Sequence, residues 1–310
     1  MRQNSSEFGL SNTSRKRPVQ PSRALYTPVT IGLNRPSPLR LEFRLLAPPT
    51  VFRDGWYPLT QAAPSPSHPP PARRPLMNAA TYVIPPPPQA ALAIAGSDQL
   101  FPVRRIWCVG RNYLEHIKEM GQDEREPPFF FANPADAIVP DGATVPYPSL
   151  TRDLHHEVEL LVALKDGGRF LRAADANELI WGYGVGIDLT RRDLQIASRD
   201  IKRPWEIGKA FDSSAPCGPL TPAAKIGHPT TGRITLKCNG QFRQDGDLAQ
   251  MIWKVPEVIE KLSEMVALAA GDIIMTGTPS GVAATVPGDT LECEVEGVGK
   301  LTVTMGPALK

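Results

Sequence analysis

The sequence lacks a long apolar run and lacks paired cysteines. No stretch approaches the roughly 18 consecutive apolar residues that a transmembrane helix needs. We therefore expect no membrane partner. The cysteines show neither the CxxC spacing of metal and redox sites nor a paired arrangement. They are therefore expected to be free thiols in a reducing compartment, which predicts a cytoplasmic protein. The four cysteines are Cys108, Cys217, Cys238 and Cys293.

A large excess of charge is also absent. The net charge is +2 over 310 residues, so the global balance does not indicate a nucleic-acid partner. The distribution is nevertheless uneven, because residues 1–76 hold eleven Lys and Arg but only three Asp and Glu. Residues 1–76 therefore carry a net charge of +8, and residues 77–310 carry −6.

Residues 1–76 have weak periodicity and abundant Pro, Ser and Arg, which predicts a disordered extension. Such a composition fits an organellar transit peptide, or else sequence upstream of a natural start at Met77. The prolines favour the second interpretation, because they would spoil an amphipathic helix. Residues 77–99, with the polyproline spacer Pro85 to Pro88, are expected to be a linker. A globular domain is expected over residues 100–310.

The segment Leu154 to Leu164 alternates as a β-strand does. One face is largely apolar, and the other carries Glu157 and Glu159 one pleat apart, roughly 6–7 Å along the strand. Two like charges on so apolar a strand are costly unless they are protonated, paired or bound to a cation. A solvent-exposed acidic edge is the alternative. The segment lacks the second histidine of the zinc-binding H-E-x-x-H pattern.

A second strand-like segment, Trp181 to Leu189, favours the cation. Asp188 lies on the face whose other members are glycines, and these allow a ligand or a neighbouring strand to approach closely. Glu157, Glu159 and Asp188 together would form an all-oxygen site. Such ligands suit Mg²⁺ or Mn²⁺ and do not suit Zn²⁺.

His116 and Glu119 stand three apart in a segment that is expected to be helical, so they would share a face. A carboxylate there could orient the imidazole and raise its basicity, as a general base that activates water requires. A surface histidine beside an unrelated glutamate is the alternative.

Three further segments carry polar groups of interest. Arg192 and Gln195 share a helix face at a spacing of three. Lys209 lies beside Phe211, although a lone lysine is most often a solvated surface charge. The glycine loop around Thr278 offers backbone N–H groups and a hydroxyl to an anion, although a plain sharp turn is equally consistent.

Short strands outnumber helices and rarely alternate with them. This order argues against a doubly wound fold and predicts a strand-rich α+β domain.

Five motifs in order resemble the fumarylacetoacetate hydrolase family. Within that family, three further segments are similar to fumarylpyruvate hydrolases. The resemblance spans residues 101 to 305 and does not reach residues 1–76. The five motifs are Gly110-Arg111-Asn112-Tyr113 with His116, His155-His156-Glu157-Val158-Glu159-Leu160, Asp188-Leu189-Thr190-Arg191-Arg192-Asp193, Lys209-Ala210-Phe211 and Gly277-Thr278-Pro279-Ser280-Gly281. The further segments are Phe101 to Arg105, Glu126-Pro127-Pro128 and Arg203-Pro204-Trp205.

The resemblance implies a mixed β-sandwich roll, a homodimer and a C–C bond hydrolase acting on a 1,3-dicarbonyl acid such as fumarylpyruvate or another acylpyruvate. A decarboxylase of oxaloacetate, or an isomerase or tautomerase of an unsaturated diacid, would use the same site. The implied roles are Mg²⁺ or Mn²⁺ binding by Glu157, Glu159 and Asp188, water activation by His116 and Glu119, stabilisation of developing negative charge by Lys209, Arg192 and Gln195, and binding of the substrate carboxylate by Thr278.

One position departs from the pattern. Many relatives carry Lys before the Pro of the segment matching Phe131-Ala132-Asn133-Pro134, and here that residue is Asn133. The change removes a cation that would lie near the site and bears on recognition of the distal part of the substrate.

Overall fold

The computed structural model of this chain describes residues 81–113 and 126–309. The expected extension over residues 1–76 and the expected dyad of His116 and Glu119 lie outside the described residues. Among the described residues, none of the helices is both long and apolar enough to cross a bilayer.

The largest sheet has eight strands and mixed directions, with β8 and β9 near its centre. Strands β15 and β3 are parallel, as are β11 and β5, and the other pairs are antiparallel. The path runs β4, β3, β15, β8, β9, β11 and β5, with β12 also pairing with β9. These strands are β3 (Arg105–Gly110), β4 (Phe129–Asn133), β5 (Ile138–Pro140), β8 (Val158–Leu164), β9 (Ile180–Ile187), β11 (Ala215–Cys217), β12 (Thr221–Pro222) and β15 (Asp272–Met275).

Three smaller sheets complete the strands. A five-stranded sheet has the order β14, β13, β17, β18 and β6, a three-stranded sheet the order β10, β7 and β16, and β1 pairs with β2. Their bounds are β1 (Ala91–Ile94), β2 (Ser97–Pro102), β6 (Thr144–Tyr147), β7 (Leu154–His156), β10 (Thr190–Arg191), β13 (Arg233–Cys238), β14 (Gln241–Asp247), β16 (Ala283–Thr285), β17 (Thr290–Val295) and β18 (Gly299–Ala308).

The described residues form five α-helices, and all but two of them are short. They are α1 (Ala176–Leu179), α2 (Arg192–Asp200), α3 (Glu206–Lys209), α4 (Ala223–Ile226) and α5 (Val255–Met265), with 3₁₀ turns at Ala135–Ala137, Ala173–Asp175 and Leu248–Gln250. The last helix is amphipathic, since Val258 and Leu262 face the core one turn apart.

The core is a sandwich between the eight-stranded and the five-stranded sheets. Leu160 and Val162 of β8 belong to the same buried cluster as Ile234 and Leu291 of the five-stranded sheet. Leu161 and Ala163, on the opposite face of β8, belong to a second buried cluster. Both faces of β8 are therefore buried. The strand-rich α+β class, with mixed sheets packed as a sandwich, is confirmed.

The expected continuous strand over residues 154–164 is divided into two strands. Strand β7 pairs with β10 and β16, whereas β8 enters the eight-stranded sheet, and Glu157 lies at the break between them. The alternation of side chains continues across the break, so Leu154, Val158 and Leu160 still lie in one cluster. The break changes the sheet to which the chain belongs and leaves Glu157 at the junction.

The ordered structure starts earlier than the expected boundary at residue 100. Strand β1 lies inside the segment 77–99 that was assigned to a linker, and its Leu92 is buried. In the hairpin between β13 and β14, Asn239 and Gly240 both have positive φ, 52° and 75°. Positive φ at both residues is the type I′ geometry that an Asn-Gly pair favours.

The glycines of β9 provide close packing for neighbouring segments. A Cβ on Gly182 would lie 2.4 Å from the backbone oxygen of Thr221 in β12, whereas one on Gly299 would meet only the Pro219 oxygen, at 3.9 Å. We expect Gly182→Ala to push two paired backbones apart and to lower the free energy of unfolding by about 1–3 kcal/mol, as overpacking does. Urea unfolding measures this loss.

Gly299→Ala is the matched control, because it adds the same methyl group to a strand where there is space. We expect it to unfold at the urea concentration of the original chain or slightly above. Equal unfolding midpoints for Gly182→Ala and the original chain would contradict the close approach.

Candidate active site

Three carboxylates converge at one end of the central strands. Glu157 lies at the break before β8, Glu159 on β8, and Asp188 directly after β9. The antiparallel register, in which Val158 faces Ile187, brings them together, and the Asp188 N–H donates to the Glu157 carbonyl oxygen at 2.9 Å. One carboxylate oxygen from each residue lies within 4.8 Å of the others, and all three residues are buried.

Two cations partly compensate these charges. The Lys209 ammonium donates to Oε2 of Glu157 and to Oδ2 of Asp188, both at 2.7 Å. The Arg192 guanidinium donates to Oε1 of Glu157. Glu159 instead accepts the backbone N–H of Gly277 at 2.7 Å. Lys209, which pattern alone would place on the surface, is 2% exposed.

The pKa values of the carboxyl groups follow from this uneven pairing. Burial raises the pKa of Glu157, but the charges of Lys209 and Arg192 outweigh it and bring the pKa to about 2. Burial, with the charges of Asp188 and Glu157, raises the pKa of Glu159 well above its usual value. Burial also raises the pKa of Asp188, although Lys209 opposes the rise. One negative charge of the cluster therefore lacks compensation.

This cluster fits a hard divalent cation. All the converging donor atoms are carboxylate oxygens, which Mg²⁺ and Mn²⁺ prefer, and the three carboxylates exceed the two cations that contact them. Glu157, Glu159 and Asp188 are the residues that would hold the ion. A divalent cation would relieve the repulsion that raises the pKa of Glu159.

Arg192 is held by three neighbours. Its Nη1 donates to Oε1 of Gln195 at 2.6 Å, one helical turn away on α2, and its Nε donates to Nδ1 of His155 at 3.4 Å. The other ring nitrogen of His155 pairs with Oδ1 of Asp153 at 2.8 Å. Because Nδ1 accepts from Arg192, the proton of neutral His155 lies on Nε2, where it is donated to Asp153. His155 thus orients Arg192 toward Glu157.

A cavity of about 410 Å³ opens onto the cluster. Polar groups form one part of its wall, and the aromatic rings of Phe131 and Trp205 form another. The polar lining includes Glu157, Glu159, Asp188, Arg192, Gln195, Lys209 and Thr278, together with Arg111, Asn112 and His155. A small anionic molecule could contact the carboxylate cluster, the cations and a hydroxyl at once.

Asn133 contacts the cluster directly. Its Nδ2 donates to Oδ1 of Asp188 at 3.2 Å, and its Oδ1 has no hydrogen-bond partner among the described residues. The position where many relatives carry lysine is therefore next to a predicted metal ligand. The substitution leaves a neutral donor there instead of a cation.

The structure brings together the predicted metal ligands Glu157, Glu159 and Asp188 with Lys209, Arg192, Gln195 and Thr278. His116 and Glu119 lie outside the described residues, so their place in the site stays a prediction. The roles assigned to all nine residues likewise stay predictions.

Three residues were not singled out as site residues from the pattern. His155 and Asn112 stand inside the recognised motifs, which could have pointed to them. The Asn112 side chain donates to the backbone oxygens of Thr276 and Trp253 at 2.8 and 2.9 Å, and so fixes the start of the Thr278 loop. Gln244, in contact with Thr278, has no motif around it.

Comparison with known proteins gives a consistent result. Residues 105–305 match the family described as fumarylacetoacetate hydrolase, C-terminal. A fumarylpyruvate hydrolase from Ralstonia sp is 41% identical over 183 residues, which is 59% of this chain and 95% of that protein. A mitochondrial oxaloacetate tautomerase from Rattus norvegicus is 39% identical over 204 residues, which is 64% of this chain and 92% of that protein.

Solved structures agree with these relatives. A fumarylpyruvate hydrolase from Pseudomonas aeruginosa, in complex with Mn²⁺ and pyruvate, matches with a TM-score of 0.71 and 48% identity. The match covers 74% of this chain and all of that one.

The raised pKa of Glu159 predicts proton release when a cation binds. Without the ion, Glu159 holds its proton to a higher pH than an ordinary carboxyl group, and a bound cation requires the ionised form. We therefore expect Mn²⁺ binding to release protons at pH values where an ordinary carboxyl group is already ionised, and the affinity to fall as the pH is lowered. Calorimetric titrations in two buffers of different ionisation enthalpy measure the release.

Glu159→Gln removes the titrating group and should reduce both the proton release and the affinity for Mn²⁺. Equal binding enthalpies of the original chain in the two buffers, at every pH tested, would contradict this electrostatic description.

Proposed function

The chain belongs to the fumarylacetoacetate hydrolase family, and we propose that it is a metal-dependent hydrolase of an acylpyruvate such as fumarylpyruvate. The observation that carries the proposal is the convergence of Glu157, Glu159 and Asp188 around Lys209 beside a cavity lined by Thr278. The relative from Pseudomonas aeruginosa with Mn²⁺ and pyruvate supports it, because pyruvate is one product of the proposed reaction.

The substrate class follows from the charges of the cavity. An acylpyruvate carries a carboxylate next to an oxo group, so one end of the molecule can chelate a hard cation while its carboxylate accepts hydrogen bonds. Bound Mg²⁺ or Mn²⁺ would supply a Lewis acid that polarises those oxygens. Thr278 would donate its hydroxyl to the substrate carboxylate. Phe131 and Trp205 would pack against the acyl group.

The cations of the site retain donors for the substrate. An ammonium has three N–H donors, and Lys209 uses two of them on Glu157 and Asp188. A guanidinium has five, and three of the Arg192 donors contact Glu157, Gln195 and His155. The remaining donors would stabilise the oxyanion that forms at the attacked carbonyl. Loss of one such donor typically costs about 10²–10³ in rate.

The reaction consumes one water. His116, oriented by Glu119, would take a proton from water, and the hydroxide would attack the distal carbonyl of the substrate. The C–C bond between that carbonyl and the next carbon then breaks, and the carbon that leaves is protonated to give pyruvate. The acyl group leaves as a carboxylic acid.

A second candidate uses the same residues on oxaloacetate. The oxaloacetate tautomerase from Rattus norvegicus, at 39% identity, specifically favours it. Tautomerisation or decarboxylation of oxaloacetate passes through an enolate, as acylpyruvate cleavage does, so Lys209 and Arg192 would serve either reaction. Hydrolysis differs in requiring a positioned water and a base that activates that water.

We further propose a cytoplasmic homodimer that acts in the catabolism of aromatic compounds. The cysteines are free and buried, which supports a reducing compartment. The mitochondrial relative keeps organellar targeting open as the alternative. Light scattering after gel filtration tests the dimer.

Substrate tests separate the two reactions. We expect purified protein with Mg²⁺ to convert fumarylpyruvate to pyruvate and fumarate, with pyruvate followed by a coupled lactate dehydrogenase assay. Oxaloacetate is tested in parallel, for enol–keto exchange and for loss of CO₂. Turnover of oxaloacetate without turnover of fumarylpyruvate would refute the hydrolase proposal and favour the second candidate.

His116→Ala should abolish hydrolysis while Mn²⁺ binding persists, because the base and the carboxylate cluster are separate groups. The control is His228→Ala, whose ring contacts Tyr183 and does not line the cavity. We expect this control to keep its activity. Hydrolysis at the original rate by His116→Ala would refute the assigned base.

A further inference from the structure

Gln244 is the one fully buried side chain of strand β14, whose other residues are exposed or half-buried. A β-bulge produces this orientation. Leu236 faces Gln244 and Lys237 faces Phe242, so Arg243 has no opposing residue on β13. Bulges beside functional sites commonly redirect a side chain. Here the redirected side chain reaches the Thr278 loop.

The Gln244 amide joins the metal-ligand segment to that loop. Its Oε1 accepts the Val158 backbone N–H at 3.1 Å and lies 3.1 Å from Nδ1 of His156. Its Nε2 donates to Oγ1 of Thr278 at 2.7 Å and to the Pro279 carbonyl oxygen at 2.9 Å. Val158 and His156 flank Glu157, so one amide spans both halves of the site.

The partners fix which end of the amide is which. A backbone N–H can only donate, and a carbonyl oxygen can only accept. Val158 therefore requires Oε1 on its side, and Pro279 requires Nε2 on the other. Oγ1 of Thr278 must then accept a hydrogen bond from Gln244, so the hydroxyl hydrogen of Thr278 is directed to another acceptor. Thr278 lines the cavity.

We propose that Gln244 is a positioning residue that makes Thr278 a hydrogen-bond donor toward a carboxylate in the cavity. This inference rests on the proposed function, because it concerns how that oxoacid site recognises an anion. The specificity follows from polarity: a carboxylate only accepts, so it matches a hydroxyl whose acceptor side is already occupied. A merely structural Gln244 would hold the loop without fixing the direction of the hydroxyl.

Gln244→Glu reverses this polarity with little change of shape. An ionised carboxylate at this position can only accept, so it would take the Thr278 hydrogen away from the cavity. While protonated, the introduced carboxyl group can still donate as the amide does. The oxalate dissociation constant of the variant, divided by that of the original chain, should therefore rise with pH. This ratio should reach about 10–100 when the hydrogen bond to the anion is lost. Oxalate is the probe because it resembles the enolate of pyruvate.

The titration is made at saturating Mg²⁺, from acidic pH up to about pH 9, since buried carboxyl groups can keep their proton to about pH 8–9. Combining Gln244→Glu with Thr278→Val should remove the part of the pH-dependent loss that comes from the redirected hydroxyl and leave the smaller part that the added negative charge causes. Combining it with Thr278→Ser should preserve both parts. Gln250→Glu is the matched control. Oε1 of Gln250 accepts the Asp247 N–H, as a carboxylate oxygen also can, and the residue does not line the cavity. This control should bind oxalate as the original chain does.

A measurement on the unaltered protein covers the case in which Gln244→Glu does not fold. Neutron diffraction of the deuterated protein with Mg²⁺ and oxalate should show the Thr278 deuterium pointing to oxalate and a Gln244 deuterium pointing to Oγ1.

A Thr278 deuterium that points to Gln244, or a ratio that stays at one over the whole pH range, would overturn the inference while leaving the oxoacid site intact. Failure of the original chain to bind oxalate at all would instead remove the proposed function, and this inference with it.

Discussion

The burial of three carboxylates around one point is the constraint on which the rest of the site depends. Like charges taken out of water are costly unless each one finds a partner. Lys209 bridges two of the carboxylates and Arg192 pairs with one of them again, while Glu159 accepts only the Gly277 N–H among the described residues. The negative charge that is left over is what would make the cluster a cation site. A set of fully paired carboxylates would have little need of an ion.

The fold meets this constraint by using strand ends. Strands β8 and β9 are buried partners near the centre of the largest sheet, and in their register Glu159 faces Gly186, two residues before Asp188. The break before β8 brings Glu157 to the same place from a different sheet. The Thr278 loop follows β15, another neighbour of β8, so the donor groups approach from the adjacent strand. The ends of β8 and β9 therefore hold the carboxylates, helices α2 and α3 carry Arg192 and Lys209, and the loop after β15 supplies a backbone donor.

The local sequence pattern was sufficient to predict that the three carboxylates converge, but it was insufficient to predict which residues pair with them. Alternation over residues 154–164 and 181–189 aligned Glu157, Glu159 and Asp188, because a period of two depends only on near neighbours in the sequence. The strand break, the early hairpin at Ala91 and the burial of Lys209 depend on contacts between distant segments. A lone lysine carries no sign that two carboxylates surround it in the fold. Gln244 is a similar case, since a bulge on another sheet directs it to Thr278. The family motifs, in their order along the chain, identified Lys209 as a site residue, which periodicity could not do.

The most direct test of the account is to locate a bound Mn²⁺ by anomalous diffraction from crystals of the loaded protein. The account predicts a single strong peak within coordination distance of Glu157, Glu159 and Asp188, with Lys209 displaced from at least one of its carboxylate partners or sharing it with the ion. A peak elsewhere, with Lys209 still bridging Glu157 and Asp188 and nothing bound between the three carboxylates, would contradict it.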